Sequence, residues 1–268
     1  MKIISTRKIF INTRSNLVTI NNYPYFSDIT FNIGMTIELL NENNNFLINL
    51  SDCVVPISIY KISEYFNNNI LYYSVNNVDY NYTIPDGNYS IYDLKTELTG
   101  NLNGIVINYS TITNKLTFTH STYDFTFDFT QSGNFQEFGF YENIIYSSSS
   151  FSLISVIPID LSGSREIYIH SNLSVLNINS LNGNLTSHVI DHIPINIVSN
   201  DILKYSNNTN FKTKITNNKI DNIEIILRDD ENFKLPLLHH WSITLELTEI
   251  ENKPINITIK DNEFYDKK

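Results

Sequence analysis

Two histidines four residues apart, His188 and His192, are the nearest thing in this chain to a metal-binding pair. A zinc protease would need glutamate directly after the first, and Val189 stands there instead. The apolar alternation around them, with Pro194, predicts a strand with both rings on one face, so no metal site is expected. His239 and His240 would point to opposite faces of a strand and read as the arm leading into a core strand at Trp241. Paired carboxylates across an aromatic cleft would hydrolyse glycosides, and Glu224 and Glu246 are the candidates. Each alternates with apolar neighbours, which marks the solvated face of a sheet. Asp229, Asp230 and Glu231 could offer oxygens to calcium but lack the spaced pattern of a dedicated loop, and an exposed turn is expected. No Gly-x-Ser-x-Gly elbow is present, and Gly163-Ser-Arg and Gly183-Asn-Leu form no phosphate cradle. No catalytic, cofactor-binding or metal-ligating residue is therefore assigned, no cofactor is expected, and the chain is not read as an enzyme.

The elements that would hold these residues are almost all strands. In Tyr123–Thr130 the residues Tyr123, Phe125, Phe127 and Phe129 share one face, and Asp124, Thr126, Asp128 and Thr130 the other. Similar runs are expected over Lys2–Asn12, Tyr25–Ile33, Met35–Leu40, Phe46–Ile62, Asn69–Ser74 and Val78–Ile84, the last two joined by a hairpin turn at Asn76-Asn77. One helix is expected: Ser90 caps it with Asp93 at the third position, Ile91, Leu94 and Leu98 have helical spacing, and Gly100 closes it. Strands over Gly104–Tyr109, Lys115–His120 and Tyr123–Thr130 follow, then an aromatic turn, Phe135–Phe140. This βαββ-type unit ends at the four serines 147–150, read as a joint. Strands resume at Phe151–Ile157, Arg165–Ser171, Leu173–Ile178, Ser187–Ile197 and Asp201–Tyr205. Ile223, Ile225 and Leu227 alternate, as do Trp241, Ile243, Leu245 and Leu247, and the two runs are expected to form a hairpin around the turn 228–232. A last strand is expected at Ile255, Ile257 and Ile259.

Composition narrows the function classes. With 268 residues, 41% hydrophobic, 17 Tyr and 16 Phe, the chain has ample material for a packed interior. A net charge of −10 repels phosphate backbones, so specific nucleic-acid binding is disfavoured. The local exception is Lys2, Arg7, Lys8 and Arg14, which read as a first strand with a solvated charged face in preference to a DNA-touching arm. The single cysteine, Cys53, cannot form an intramolecular disulfide. Asn-x-Ser/Thr sequons are the chance product of an Asn-rich chain. No signal peptide and no membrane-spanning run is recognised, so a product made in the cytosol is expected.

Five segments in order resemble the penton (minor capsid) proteins of virophages, polinton-like viruses and related tailless icosahedral DNA viruses. They are Leu50-Ser-Asp-Cys-Val-Val-Pro-Ile-Ser-Ile-Tyr60, with its central proline, and Ile84-Pro-Asp-Gly-Asn-Tyr-Ser-Ile-Tyr-Asp-Leu94, which opens the helix. Then come Phe138-Gly-Phe140 and Arg165-Glu-Ile-Tyr-Ile-His-Ser-Asn-Leu173, and last Ile223–Asn232 leading through Leu235 and Leu238 to His239–Leu247. The family usually has glycines in that last connection. Here Glu231-Asn232 and Leu237-Leu238-His239 replace them, so the turn must differ.

The resemblance implies an all-β fold, a single jelly-roll β-sandwich built from residues 1–83 and 151–268, with an inserted small βαββ-type domain at 84–150. It also implies a structural virion protein, a homopentamer that closes icosahedral vertices between major capsid protein capsomers and meets a host receptor, made in the host cytoplasm and located in the virion. The alternative is a carbohydrate- or receptor-binding jelly-roll protein, a spike or fibre head. A sandwich hydrolase would need two acids converging in an aromatic cleft.

Overall fold

Apolar residues at every second position can be buried only if each strand turns one face to a partner sheet, and the chain satisfies this twice over. The computed structural model describes residues 2–133, 135–173, 188–198, 200–209, 212–215 and 217–251. Among them are seventeen strands and one helix. The first part holds β1 (Lys2–Asn12), β2 (Val18–Ile20), β3 (Asp28–Glu38) and β4 (Asn44–Pro56). The middle holds β5 (Ile70–Val75), β6 (Val78–Thr83), α1 (Ile91–Asn101), β7 (Val106–Ser110), β8 (Lys115–Thr119), β9 (Phe125–Asp128), β10 (Ile145–Ser147) and β11 (Ser152–Ile154). The last part holds β12 (Glu166–Ser171), β13 (Val189–Pro194), β14 (Ile202–Ser206), β15 (Thr213–Ile215), β16 (Lys219–Arg228) and β17 (Ser242–Glu251).

One sheet runs β1-β17-β4-β14, with β15 also on β4, and the second runs β13-β12-β16-β3-β2. The chain crosses between them after β1, β3, β4, β13, β15 and β16, the wrapping order of a jelly roll. The two ends of the fold meet in the first sheet, where β1 pairs antiparallel with β17 from Lys2↔Glu251 to Asn12↔Ser242. Between the sheets lies one apolar cluster that includes Ile11, Ile29, Ile48, Leu50, Ile225 and Leu245, all fully buried. Pro194 is tolerated because β13 is an edge strand. No helix among the described residues is long and apolar enough to cross a membrane.

The expected hairpin of the two C-terminal runs is corrected: β16 pairs with β3 and β12, while β17 pairs with β1 and β4, so they face each other across the core. Alternation says which face of a strand is apolar and nothing about its neighbour. The connection folds back locally at Asp229–Phe233 and then crosses the ~10 Å between sheets with Leu235 and Leu237 buried. Asn232, at φ 70°, supplies the left-handed residue that a glycine would otherwise provide.

The middle of the chain has its own apolar cluster, from Ile62 through Phe140, with Leu153, Ile159 and Leu161 packed against it. That is wider than 84–150, because β5 and β6 form a sheet with β9 and β10, and β11 pairs with β8. The βαββ signal is present in order, but its strands divide between a four-stranded and a three-stranded sheet. Serines 147–150 make a tight connection and not a loose joint: Phe125 N donates to Ser148 Oγ at 2.9 Å, and Ser149 and Ser152 pair. The β5–β6 hairpin turns on Asn76 and Asn77 at φ 52° and 62°, as two-residue type I′ loops require. At the helix, Ser90 and Asp93 form the expected capping box. Gly100 does not end it: the helix runs to Asn101, Leu102 N–H bonds to Leu98 O, and Asn103 and Gly104 take the positive φ. The expected strands at Leu173–Ile178 and Ile255–Ile259 lie, but for Leu173, outside the described residues.

Candidate functional site

The sequence-stated candidates are scattered by the fold. Glu224 stands on β16 between the buried Ile223 and Ile225, and Glu246 on β17 between the buried Leu245 and Leu247. They therefore project from opposite outer faces of the sandwich and cannot act together. Glu246 is held by Lys212 Nζ at 2.5 Å, which also donates to Thr248 Oγ1 at 2.8 Å. His240 Nδ1 lies 3.0 Å from Thr13 Oγ1, and Trp241 N donates to the same hydroxyl at 3.0 Å. Trp241 Nε1 donates to Phe26 O at 2.6 Å, so this cluster locks one end of the jelly roll. Cys53 is buried, and burial pushes its thiol up to about 12, which leaves it unreactive near neutral pH.

His192 stacks on Tyr168 with centroids 5.9 Å apart, and a bulge opposite Ile169–His170 breaks the expected alternation between His188 and His192. Among the described residues no three His, Cys, Asp or Glu side chains are grouped to hold a metal ion. The unexpected member of this face is His170. Burial, then Arg228 and His188, bring its imidazole down to about 4. The unfolded chain takes up that proton near pH ~6.5, so this contribution to stability is present above that pH and is lost as pH falls towards 4. His170→Gln is expected to flatten the fall of the urea midpoint between about pH 7 and about pH 4.5. Equal falls in the two proteins would remove His170 as a source of acid sensitivity.

A cleft of about 500 Å³ opens where the two apolar clusters adjoin, and it brings two acids that sequence reasoning missed to the acidic turn it had singled out. Glu137 comes from the aromatic turn and Asp160 from the return to the jelly roll, with Asp229, Asp230 and Glu231 opposite. Phe66, Phe135 and Phe233 line it as well, so this is where a sandwich hydrolase would keep its carboxylates. Each of the three best-placed acids is instead committed to local structure. Burial pushes the Glu137 carboxyl up, and it accepts from Asn68 Nδ2 at 2.8 Å. Against the opposing effect of burial, the Ser162 hydroxyl and backbone N–H and then Arg165 hold Asp160 below the usual carboxylate range. Asp229 Oδ1 accepts from Glu231 N at 3.0 Å and Phe233 N at 2.7 Å, closing the turn. Lys61, which lines the cleft, donates from Nζ to Leu161 O, and nearby in sequence Tyr65 OH donates to Lys234 O at 2.7 Å. Nothing in local sequence links residues 61, 137, 160 and 229, and no signal short of the fold could have grouped them.

The remaining surface of note is the β1 flank. β1 is an edge strand eleven residues long, and β17 is its one strand partner among the described residues. Its charged residues are solvated, with Lys2 Nζ 4.0 Å from Glu251, and Phe10 is 61% exposed beside them. On the same outer face, Val54 and Ile202 are also exposed.

These features define a single jelly-roll sandwich with a second apolar core inserted between β4 and β12, all-β and antiparallel throughout. No family model and no curated protein sequence matches the chain. Among solved structures it is similar to the penton protein of mavirus, with a TM-score of 0.45 and 13% sequence identity over 91% of this chain and 100% of that one.

Proposed function

We propose that this chain is a structural virion protein, a penton-type minor capsid protein whose activity is self-association. The observation that supports the reading best is the β1 flank: a long, open edge strand with a large exposed aromatic at Phe10. Monomeric proteins usually shorten, cover or fill such edges with charge, whereas β1 pairs charges with apolar groups, Ile3 at 62% exposure among them. A ring of five at an icosahedral vertex uses heterologous contacts, one flank of each copy against the opposite flank of the next. Major capsid protein capsomers surround the ring, and the middle unit, residues 62–161, forms a separate outward domain that faces a host receptor. The protein is made in the host cytoplasm, resides in the virion and catalyses no reaction.

Light scattering on the purified chain is expected to give about five times its 31.0 kDa mass. Burying ~800 Å² per partner would suffice for a stable contact. Phe10→Asp places a charge in that contact and should raise the dissociation constant at least ~100-fold, or ~2.7 kcal/mol, returning folded monomers. A strict monomer at high concentration would argue against the pentamer. A ring that survives Phe10→Asp would move the contact away from β1.

A further inference from the structure

The four-stranded sheet of the middle unit turns one face to its core and leaves the other concave and open. Leu71, Tyr73 and Val75 of β5 are buried, so Tyr72 and Ser74 lie on the opposite face. Register places Asn81 and Asp79 of β6 beside them, Thr126 on the other side of Ser74, and Asp128 beside Ile145 of β10. These side chains line a groove of about 290 Å³ with Tyr72 between the polar groups of β6 and those of β9.

We infer that this groove binds a neutral sugar, a hexose or N-acetylhexosamine unit of a glycan. A pyranose has an apolar face of C–H groups that rests on an aromatic ring and a rim of hydroxyls that need fixed acceptors and donors. Tyr72 supplies the ring. Asp128 supplies a fixed acceptor: its Oδ1 takes the Thr130 N–H at 3.0 Å, and its Oδ2 takes Gln131 Nε2 at 2.6 Å. Although burial opposes it, these bonds and the Thr130 hydroxyl hold the carboxyl below its usual range, so the acceptor stays ionised. Carboxylates bond hydroxyls more strongly than neutral acceptors do. Ser74 Oγ and Thr126 Oγ1 pair at 2.7 Å on the floor, while Asp79 and Asn81 are exposed on the rim with no side-chain hydrogen bond among the described residues. Among the described residues no Lys, Arg or His lines the groove, and two carboxylates do. That charge excludes sialylated, sulfated and phosphorylated sugars and selects neutral ones. The cleft between the apolar clusters is the weaker candidate, because Glu137, Asp160 and Asp229 are each already bonded by their own neighbours, Asn68, Arg165 and the Phe233 N–H. The groove does not depend on the pentameric reading, since all its residues come from one copy.

The test is saturation-transfer NMR on the full chain with the methyl glycosides of glucose, galactose, mannose and N-acetylglucosamine, and with sialyllactose. At least one neutral glycoside is expected to bind, with Tyr72→Ala raising its dissociation constant at least tenfold and Asp128→Asn several-fold. Tyr72→Phe and the cleft variant Glu137→Gln should leave it within twofold. If Tyr72→Ala fails to fold, Asn81→Ala replaces it as the rim variant, with a several-fold loss expected. No transfer to any neutral glycoside, preference for sialyllactose, or loss of binding in Glu137→Gln alone would each overturn the assignment. Particle mass measured on the same samples keeps this outcome separate from the fate of the pentamer.

Discussion

Phe127→Ala is expected to destabilise residues 62–161 sharply while the jelly roll keeps its stability. Phe127 is 1% exposed, and its ring lies 4.8 Å from Phe118, 5.7 Å from Phe125 and 6.1 Å from Phe129. Removing a buried aromatic from so dense a cluster costs about 3–5 kcal/mol through lost contact and residual cavity, against a domain stability of ~5–15 kcal/mol. Trp241 makes the outcome readable, because it is the one tryptophan and is buried in the jelly-roll cluster. Its emission should report an unchanged urea midpoint, while hydrogen exchange accelerates across β5, β6, β8 and β9. A tryptophan midpoint that falls in step with exchange would mean that both clusters unfold as one cooperative unit, and the two-domain division would be wrong.

Leu245→Ala should produce the reciprocal result. Leu245 is fully buried on β17, opposite Ile9 of β1 on one side and Leu50 of β4 on the other. Its truncation leaves a hole in the strand that joins the two ends of the fold, at about 2–5 kcal/mol. For a folding unit of this size the tryptophan-detected melting midpoint should fall by ~10 °C. Protection in β5–β9 should persist, and the ring should dissociate because β1 is held by β17. A melting midpoint within ~2 °C of the parent would show that the cavity collapses or that the base is stabilised elsewhere.

Both predictions rest on the separation of two cores, which was only half visible in the sequence. The helix was legible because its signals are local: Ser90 and Asp93 cap it, and Leu94 and Leu98 fall one turn apart and are buried. The β5–β6 hairpin was legible for the same reason, since Asn76 and Asn77 tolerate the left-handed backbone its turn demands. What β5 and β6 pack against was not. Tyr73 meets Phe127 across more than fifty residues, and neither alternation encodes the other's position. The candidate sites divide likewise. Trp241 was legible as a core residue from the alternation around it and is interior, whereas nothing local marked the half-buried Tyr72 as a groove residue before β5 acquired neighbours on both sides.

By itself, the sequence determined the strand-rich class, the first strand over Lys2–Asn12, the inward set Phe125, Phe127 and Phe129, and the capped helix. All of these follow from backbone geometry and hydrophobic period within about ten residues. Tertiary structure alone decided that β16 and β17 stand in opposite sheets, that Glu137, Asp160 and Asp229 share a cleft, and that Tyr72 and Asp128 share a groove. The physical reason is that a strand's period specifies which face is buried, whereas its hydrogen-bond donors and acceptors are the same along every strand. Choice of neighbour therefore rests on how whole sheets pack, a property spread over the full length of the chain.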